Sequence, residues 1–125
     1  MTFETTQSPE IFVFCALASE ARPLVEHWRL KKLEAHHPFP IYTQGQYAVV
    51  VSGLGKHAAA AAVAYALCLF RAVEQPVLVN LGIAGHRHHS VGSVFVANRL
   101  TDGESGRCFY PQLVFVEQLA GIGLL

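Results

Sequence analysis

A short run of consecutive apolar residues near the N-terminus limits the folds open to this chain. Residues 11–17 read Ile-Phe-Val-Phe-Cys-Ala-Leu, which is rich in strand-forming residues and has no polar alternation. This pattern predicts a strand buried on both faces, as in a parallel or mixed sheet covered by helices. A helix is predicted next, with Ser19 as its N-cap and Glu20 in its first turn, where a carboxylate complements the helix dipole. Pro23 fits best near the start of that helix.

The following segments alternate between strand and helix patterns. Residues 41–43 and 46–51 predict two strands of a hairpin joined at Gly45. A tight turn at 52–56 leads into an alanine-rich helix over 57–71, which is apolar almost all round and is therefore expected to be buried. The first helix, by contrast, has an apolar face formed by Leu24, Val25 and Trp28.

Two more strands are predicted at residues 77–81 and 91–97, and residues 108–115 are expected to hold one more short strand. The order of elements predicts the α/β class, with a three-layer αβα architecture around a mixed central sheet. A length of 125 residues suits one domain over 1–125, with 1–10 as a flexible lead-in and 116–125 as an atypical tail.

Composition and charge narrow the function classes. The formal net charge is zero, which argues against a nucleic-acid binder and favours a small neutral ligand or a protein partner. Cys15, Cys68 and Cys108 form no paired motif, which indicates a reducing compartment. The N-terminus lacks a signal-peptide pattern, and the longest apolar stretch, 58–70, is too short to span a bilayer. We therefore expect a cytoplasmic protein without membrane association.

Three turns are predicted to lie at the carboxyl ends of strands, where open α/β sheets bind ligands. In the first, Glu20 projects from a rigid base. A carboxylate there can act as a general base on water if burial raises its pKa. The alternative is a glutamate that only complements the helix dipole, and the residues alone favour that role.

The second and third turns are rich in small residues. Residues 52–56 (Ser-Gly-Leu-Gly-Lys) lack the spacing of a phosphate loop, so a packed strand-to-helix turn is favoured, although Ser52 and Gly53 remain candidates for backbone contact with a ligand. In the third turn, small residues allow a flat ligand to approach the backbone, and a tight turn is compatible with that role. Its members are Gly82, Ile83, Ala84 and Gly85.

The remaining chemistry-bearing residues give weaker signals. His86, His88 and His89 invite a metal hypothesis, but no second group of ligands at matching spacing accompanies them, so no metal and no cofactor are predicted. Asp102 is the only aspartate and lies in a Gly/Ser loop, so a Ser-His-Asp triad is not expected.

Taken together, the turns resemble the nucleoside phosphorylase superfamily, especially its nucleosidase branch. Residues 14–21 resemble the opening strand and turn of methylthioadenosine/S-adenosylhomocysteine nucleosidases, with their Ala-Met-x-x-Glu pattern. Residues 52–60 resemble the family's Ser-Gly-Ile-Gly-Lys-x-Ala-Ala-Ala. Residues 79–85 and 91–97 resemble Asn-Thr-Gly-Ser-Ala-Gly-Gly followed by Val-Gly-Asp-Ile-Val-Val. The Gly-Ile-Ala-Gly turn is also similar to that of the futalosine hydrolase branch.

The resemblance implies a reaction and a role for Glu20. The expected reaction is cleavage of a purine nucleoside's N-glycosidic bond, with Glu20 positioning and deprotonating the attacking water. Phosphorolytic relatives place arginines where this chain has Glu20 and Asn80, so hydrolysis is favoured, while Arg22 keeps phosphorolysis as an alternative.

The resemblance also implies what the sequence does not contain. After Phe115 no segment matches the family's base-binding segment, its Met-Glu ribose clamp or the aspartate that protonates the leaving purine. A chain with the fold but without these groups would be a catalytically incomplete remnant that acts as an oligomeric or ligand-binding protein. Either reading predicts a small-molecule nucleoside as partner and a homo-oligomer, since a half-domain exposes apolar surface.

Overall fold

The computed structural model describes residues 8–72, 74–112 and 123–124. The chain forms two compact units, Met1–Ala84 and Gly85–Leu125. The elements of the first unit are β1 (Ile11–Cys15), α1 (Ala18–His27), β2 (Lys31–Lys32), β3 (Ile41–Gln44), β4 (Tyr47–Val51), α2 (Lys56–Leu69) and β5 (Val77–Asn80). Those of the second are β6 (Phe95–Val96), β7 (Leu100–Thr101), β8 (Cys108–Phe109) and β9 (Gly123–Leu124).

A five-stranded mixed sheet forms the centre of the first unit, in the order β2-β3-β4-β1-β5. Strands β4, β1 and β5 are parallel, while β2 and β3 extend the sheet by antiparallel pairing. At the end of β1, Cys15 pairs with Val51 and Phe14 pairs with Asn80. The carboxyl ends of the three parallel strands therefore meet at one edge of the sheet, with β1 in the middle.

The side chains of β1 alternate between the two faces of the sheet, and this shows which helix covers each face. Phe12 and Phe14 belong to the buried cluster that contains Ala62 and Ala66 of α2. Val13 and Cys15 belong to the other cluster, which contains Ala21 of α1. Because successive side chains of a strand point to opposite faces, α1 and α2 cover opposite sides of the sheet. The predicted αβα layers and mixed sheet are confirmed.

The first helix begins differently from its prediction. It starts at Ala18 with Leu17 as N-cap, so the prediction of Ser19 as N-cap is wrong. The Leu17 carbonyl accepts hydrogen bonds from the N–H groups of Glu20 and Ala21, so the helix begins two residues earlier than predicted. Pro23 consequently lies inside the helix instead of at its start. The predicted apolar face is confirmed, since it packs against the cluster on that side.

The second helix is less buried than its composition predicted. Of its residues only Ala62 and Ala66 are buried, one turn apart on the face toward the sheet. Alanine is apolar but small, so an alanine-rich sequence does not reveal which face contacts the sheet. The predicted burial on all sides is therefore wrong for the described residues. Gly55, with φ of 94°, precedes the helix in a conformation that favours glycine.

The hairpin prediction is confirmed, since β3 and β4 pair on either side of Gly45, which has φ of 57°. The short edge strand β2 was not predicted. Residues 81 and 91–94 lie outside strands, so the strands predicted at 77–81 and 91–97 are shorter than expected. The short strand expected within 108–115 is present as β8, and residues 113–115 of that range lie outside the described residues.

The second unit contains two short pairs of strands. Strand β6 pairs with β9 in parallel, and β7 pairs with β8 antiparallel. In the β7–β8 turn, the Asp102 carboxylate accepts hydrogen bonds from the Glu104 N–H at 3.1 Å and the Ser105 hydroxyl at 2.9 Å. The chain's single aspartate thus serves a turn. Across the described ranges, no helix is both long and apolar enough to cross a membrane.

The domain limits remain predictions. Of the expected lead-in, residues 1–7 lie outside the described part of the chain, and so do residues 116–122 and 125 of the expected tail.

Candidate active site

Three turns lie side by side at the carboxyl edge of β4, β1 and β5. The Ser52 N–H donates to the Cys15 carbonyl at 2.8 Å, and the Gly53 N–H donates to the Ala16 carbonyl at 3.2 Å. On the other side of β1, the Leu81 N–H donates to the Phe14 carbonyl at 3.0 Å. The chain passes from β1 to β4 on one side and later to β5 on the other. This edge is therefore a topological switch point, the place where open α/β sheets bind ligands.

Glu20 lies at this edge and connects two of the three turns. Its Oε1 accepts a hydrogen bond from the Leu17 N–H at 2.9 Å, and its Oε2 accepts one from the Ile83 N–H at 2.8 Å. The side chain is half-buried. A carboxylate has about four lone-pair sites, and these two bonds use two of them. The remaining sites can accept hydrogen bonds from water or from a ligand hydroxyl.

The bond to Leu17 has a local origin. Glu20 is the third residue of α1, the position from which a glutamate side chain reaches back to the N-cap N–H. In a full capping box the N-cap side chain returns a bond, but the side chain of Leu17 has no polar atom. The carboxylate therefore caps the helix alone. Glu20 thus has the helix N-terminal role that the residues favoured, and it also accepts the hydrogen bond from the Ile83 N–H.

Cys15 carries a thiol at the end of β1, beside this edge. It is fully buried at the end of β1. Burial raises the pKa of its thiol to about 11, and the negative charge of Glu20 adds to the shift. A thiol in this state is neutral at physiological pH and is a poor nucleophile. Cys15 therefore acts as a small apolar residue under the site.

The Ser52 hydroxyl forms its hydrogen bonds within the strand-to-helix turn and with the end of β1. The side chain is buried, and Oγ lies 2.9 Å from the Gly53 carbonyl and 3.4 Å from the Cys15 carbonyl. Gly53 has φ of 86°, in the left-handed region that favours glycine. Both residues thus shape the strand-to-helix turn beside β1. Their predicted contact with substrate remains a prediction.

The third turn contributes two of its four predicted residues to the environment of Glu20. A Cβ built on Gly82 would lie 2.8 Å from Glu20 Oε2, and Ile83 supplies the N–H that this oxygen accepts. The Ile83 side chain is 83% exposed. Ala84 ends the first unit and Gly85 begins the second, so the roles predicted for these two residues remain predictions.

Sequence reasoning missed the backbone donors and the apolar rim of this edge. The N–H groups of Leu17 and Ile83 are invisible in a residue pattern, although a glutamate three residues after the N-cap signals the first of them. Three leucines in the same turns are substantially exposed and would offer apolar contact to a ligand: Leu17, Leu54 and Leu81.

The histidine cluster belongs to the second unit. The His88 N–H donates to His86 Nδ1 at 3.0 Å, and the rings of His86 and His89 have centroids 4.2 Å apart. All three side chains are exposed. Within the part of the chain that the structure describes, no group of three His, Cys, Asp or Glu side chains is arranged to hold a metal ion.

The fold agrees with comparisons to known proteins. Residues 10–119 match the family model of the Phosphorylase superfamily. The chain belongs to the phosphorylase superfamily. No curated protein sequence matches it significantly.

Solved structures similar to this superfamily member include nucleosidases and a hydrolase. The 5′-methylthioadenosine/S-adenosylhomocysteine nucleosidase of Neisseria meningitidis, in complex with methylthio-immucillin-A, has a TM-score of 0.73 at 20% identity; the match covers 91% of this chain and 61% of that one. The corresponding nucleosidase of Colwellia psychrerythraea, in complex with adenine, has a TM-score of 0.70 at 25% identity, covering 95% and 60%. A futalosine hydrolase mutant of Helicobacter pylori has a TM-score of 0.67 at 15% identity, covering 93% and 62%.

The chain thus spans about three-fifths of the length of these solved relatives. The suspected family is confirmed, and the neighbours come from the two branches that the turns resemble.

Proposed function

We propose that this protein takes part in hydrolysis of the N-glycosidic bond of a purine nucleoside, with Glu20 holding the attacking water. One observation carries the proposal: the Glu20 carboxylate is fixed at the switch-point edge by the N–H groups of Leu17 and Ile83. Its two remaining lone-pair sites are available for a water molecule. A water held by a fixed carboxylate is oriented for attack and has a proton acceptor beside it.

The same arrangement favours water over phosphate as the nucleophile. A helix N-terminus is an anion-binding position, because its free N–H groups point outward. At the start of α1, the carboxylate of Glu20 already accepts one of these hydrogen bonds, from Leu17. A phosphate placed beside it would meet a negative charge of the same sign. Hydrolysis is therefore the proposed reaction, and phosphorolysis is the outcome that the experiment below distinguishes.

The substrate class is proposed from the rim of the site and from the relatives. Exposed apolar side chains, among them Leu54 and Ile83, suit a purine ring or a thioether substituent rather than a charged group. Several of the similar solved structures are methylthioadenosine/S-adenosylhomocysteine nucleosidases, one of them in complex with adenine. We include futalosine among the substrates to be tested because one similar structure is a futalosine hydrolase.

We also propose that the chain associates with a second copy of itself. Support comes from α2, whose outer side exposes small apolar residues. They include Ala60 and Ala61. The cysteines of the described residues are all free thiols, which supports the proposed cytoplasmic location.

The test is incubation of the purified chain with methylthioadenosine, S-adenosylhomocysteine, inosine and futalosine, with and without phosphate. Release of free base without phosphate is expected. Glu20→Gln keeps the shape of the side chain but removes its charge, and it should lower kcat by about a hundredfold or more. Glu26→Gln, an exposed position on the same helix, is the matched control and should retain activity.

Two results would contradict the proposal. Release of base only in the presence of phosphate would show that the carboxylate does not exclude the anion. No release from a folded sample would leave the family fold without the family's chemistry.

A further inference from the structure

Gly82 differs from the other glycines that the structure describes. A Cβ built on it would lie 2.8 Å from Glu20 Oε2, 3.6 Å from Glu20 Cδ and 3.9 Å from Glu20 Oε1. Real Cβ atoms essentially never approach a neighbour as closely as 2.8 Å. Its three nearest neighbours thus all belong to one carboxylate group. For the other glycines with described surroundings, the nearest approach is 3.9 Å, at Gly53.

The need for glycine at this position is steric and does not come from the backbone. Gly82 is not among the glycines with positive φ, so an L-residue can adopt its conformation. The space that a side chain would fill is instead taken by the Glu20 carboxylate, which reaches into the turn to accept the Ile83 N–H at 2.8 Å.

We propose that Gly82 is a positioning residue for Glu20: its missing side chain admits the carboxylate into the β5 turn and so fixes it to the Ile83 N–H. A methyl group at 82 would force Oε2 to withdraw, and the bond to Ile83 would break, while the bond from Leu17 on the carboxylate's own helix could persist. Glu20 would then remain at the helix N-terminus but lose the second point that fixes its orientation.

This role differs from the substrate contact predicted for Gly82 from sequence, and the two make opposite kinetic predictions. A residue that contacts substrate changes KM when it is replaced, whereas a residue that orients the carboxylate changes kcat. The catalytic consequence rests on the proposed function, but the placement of the carboxylate does not. The experiment therefore has one arm that needs no activity.

The first arm measures the Ile83 amide by NMR in a ¹⁵N-labelled chain. Gly82→Ala should move the Ile83 amide proton upfield and accelerate its exchange with solvent by about tenfold or more, the loss expected for a hydrogen bond to a charged acceptor. Glu20→Ala should give the same change. Gly103→Ala is the matched control, since Gly103 also lacks a positive φ and has nothing within 4 Å of an added Cβ.

The double variant Glu20→Ala/Gly82→Ala keeps the proposal falsifiable if Gly82→Ala alone does not fold. Because the clash is with Glu20, the double variant should then fold, and its Ile83 amide should behave as it does in Glu20→Ala. An unchanged Ile83 amide in Gly82→Ala would overturn the proposal. The proposal would also be overturned if Gly82→Ala impaired folding as much in the Glu20→Ala background as in the parent chain.

The second arm measures turnover. If the parent chain hydrolyses a nucleoside, Gly82→Ala should lower kcat by about tenfold or more with little change in KM, and have no further effect in the Glu20→Ala background. A rise in KM at unchanged kcat would assign Gly82 to substrate binding and overturn the positioning role. If the parent shows no turnover, the proposed function fails, and the NMR arm still decides the role of Gly82.

Discussion

Cys15 and Glu20 are electrostatically coupled at the carboxyl end of the central strand. Burial raises the pKa of the Cys15 thiol to about 11, and the negative charge of Glu20 adds to this shift. The thiol is fully buried, whereas the carboxylate is half-buried and bonded to two N–H groups. A neutral thiol is thus buried close enough to the candidate catalytic carboxylate to respond to its charge.

Thiol reactivity should follow this arrangement. Cys68 and Cys108 are exposed, whereas Cys15 is buried and keeps its proton. With a thiol-specific reagent at pH 8, we expect Cys68 and Cys108 to react within minutes and Cys15 to react only on unfolding. Mass spectrometry of digested samples, with and without denaturant, identifies the modified residues. Modification of Cys15 in the folded chain as fast as that of Cys68 would contradict the prediction.

Stability should fall at alkaline pH for the same reason. The unfolded chain loses the Cys15 proton near its ordinary pKa of 9.0, but the folded chain retains it until about pH 11. The unfolded state therefore binds fewer protons in this window, and the free energy of unfolding decreases with rising pH by up to about 3 kcal/mol. Below pH 9 the contribution is fully present.

The comparison that isolates this effect uses Cys15→Ala. Denaturant unfolding of both proteins between pH 8 and 11 measures the two slopes. The other ionisable groups are the same in both proteins, so their effects cancel in the difference. The parent should lose more stability than the variant as the pH rises, and equal losses would show that Cys15 is not responsible.

The small side chains of α2 have different roles on its two sides. Ala66 is fully buried against the sheet in the cluster with Phe12 and Phe14, whereas Ala64 is exposed. Ala66→Leu adds volume to a packed layer and should lower the free energy of unfolding by about 1–3 kcal/mol. Ala64→Leu, a control with the same chemistry, should change it by less than about 0.5 kcal/mol. Thermal unfolding measures both, and equal effects would contradict the assignment of faces.

Local patterns predicted much of the fold. The apolar run at 11–17 indicated a strand buried on both faces, and Gly45 marked the hairpin between β3 and β4, because both signals depend on neighbouring residues. Strand β2 gave no such signal, since Lys31 and Lys32 are exposed edge residues whose pairing comes from β3. The exposed side of α2 was missed because alanine suits both buried and exposed positions.

Only part of the site was predicted, because sequence patterns record local signals and not contacts between distant residues. Glu20 stands out locally, after a strand and at a helix start. Its bond to the Ile83 N–H joins residues 63 positions apart and involves a backbone donor that no side-chain pattern records. The close approach at Gly82 has the same origin. A glycine in a turn predicts conformational freedom, but here the decisive factor is the space taken by a side chain from another element.

The central position of β1 also shapes how the chain reaches its native state. Ile11 pairs with Tyr47 on one side and with Val77 on the other, so both partners of β1 come from much later in the chain. The β3–β4 hairpin needs only a two-residue turn and can form early, whereas the β1 pairings require closure of long loops and are slow. Until then, Ile11–Cys15 is an unpaired apolar strand, the kind of segment that drives aggregation. The strand that carries the candidate site is therefore also the segment that most needs protection during synthesis.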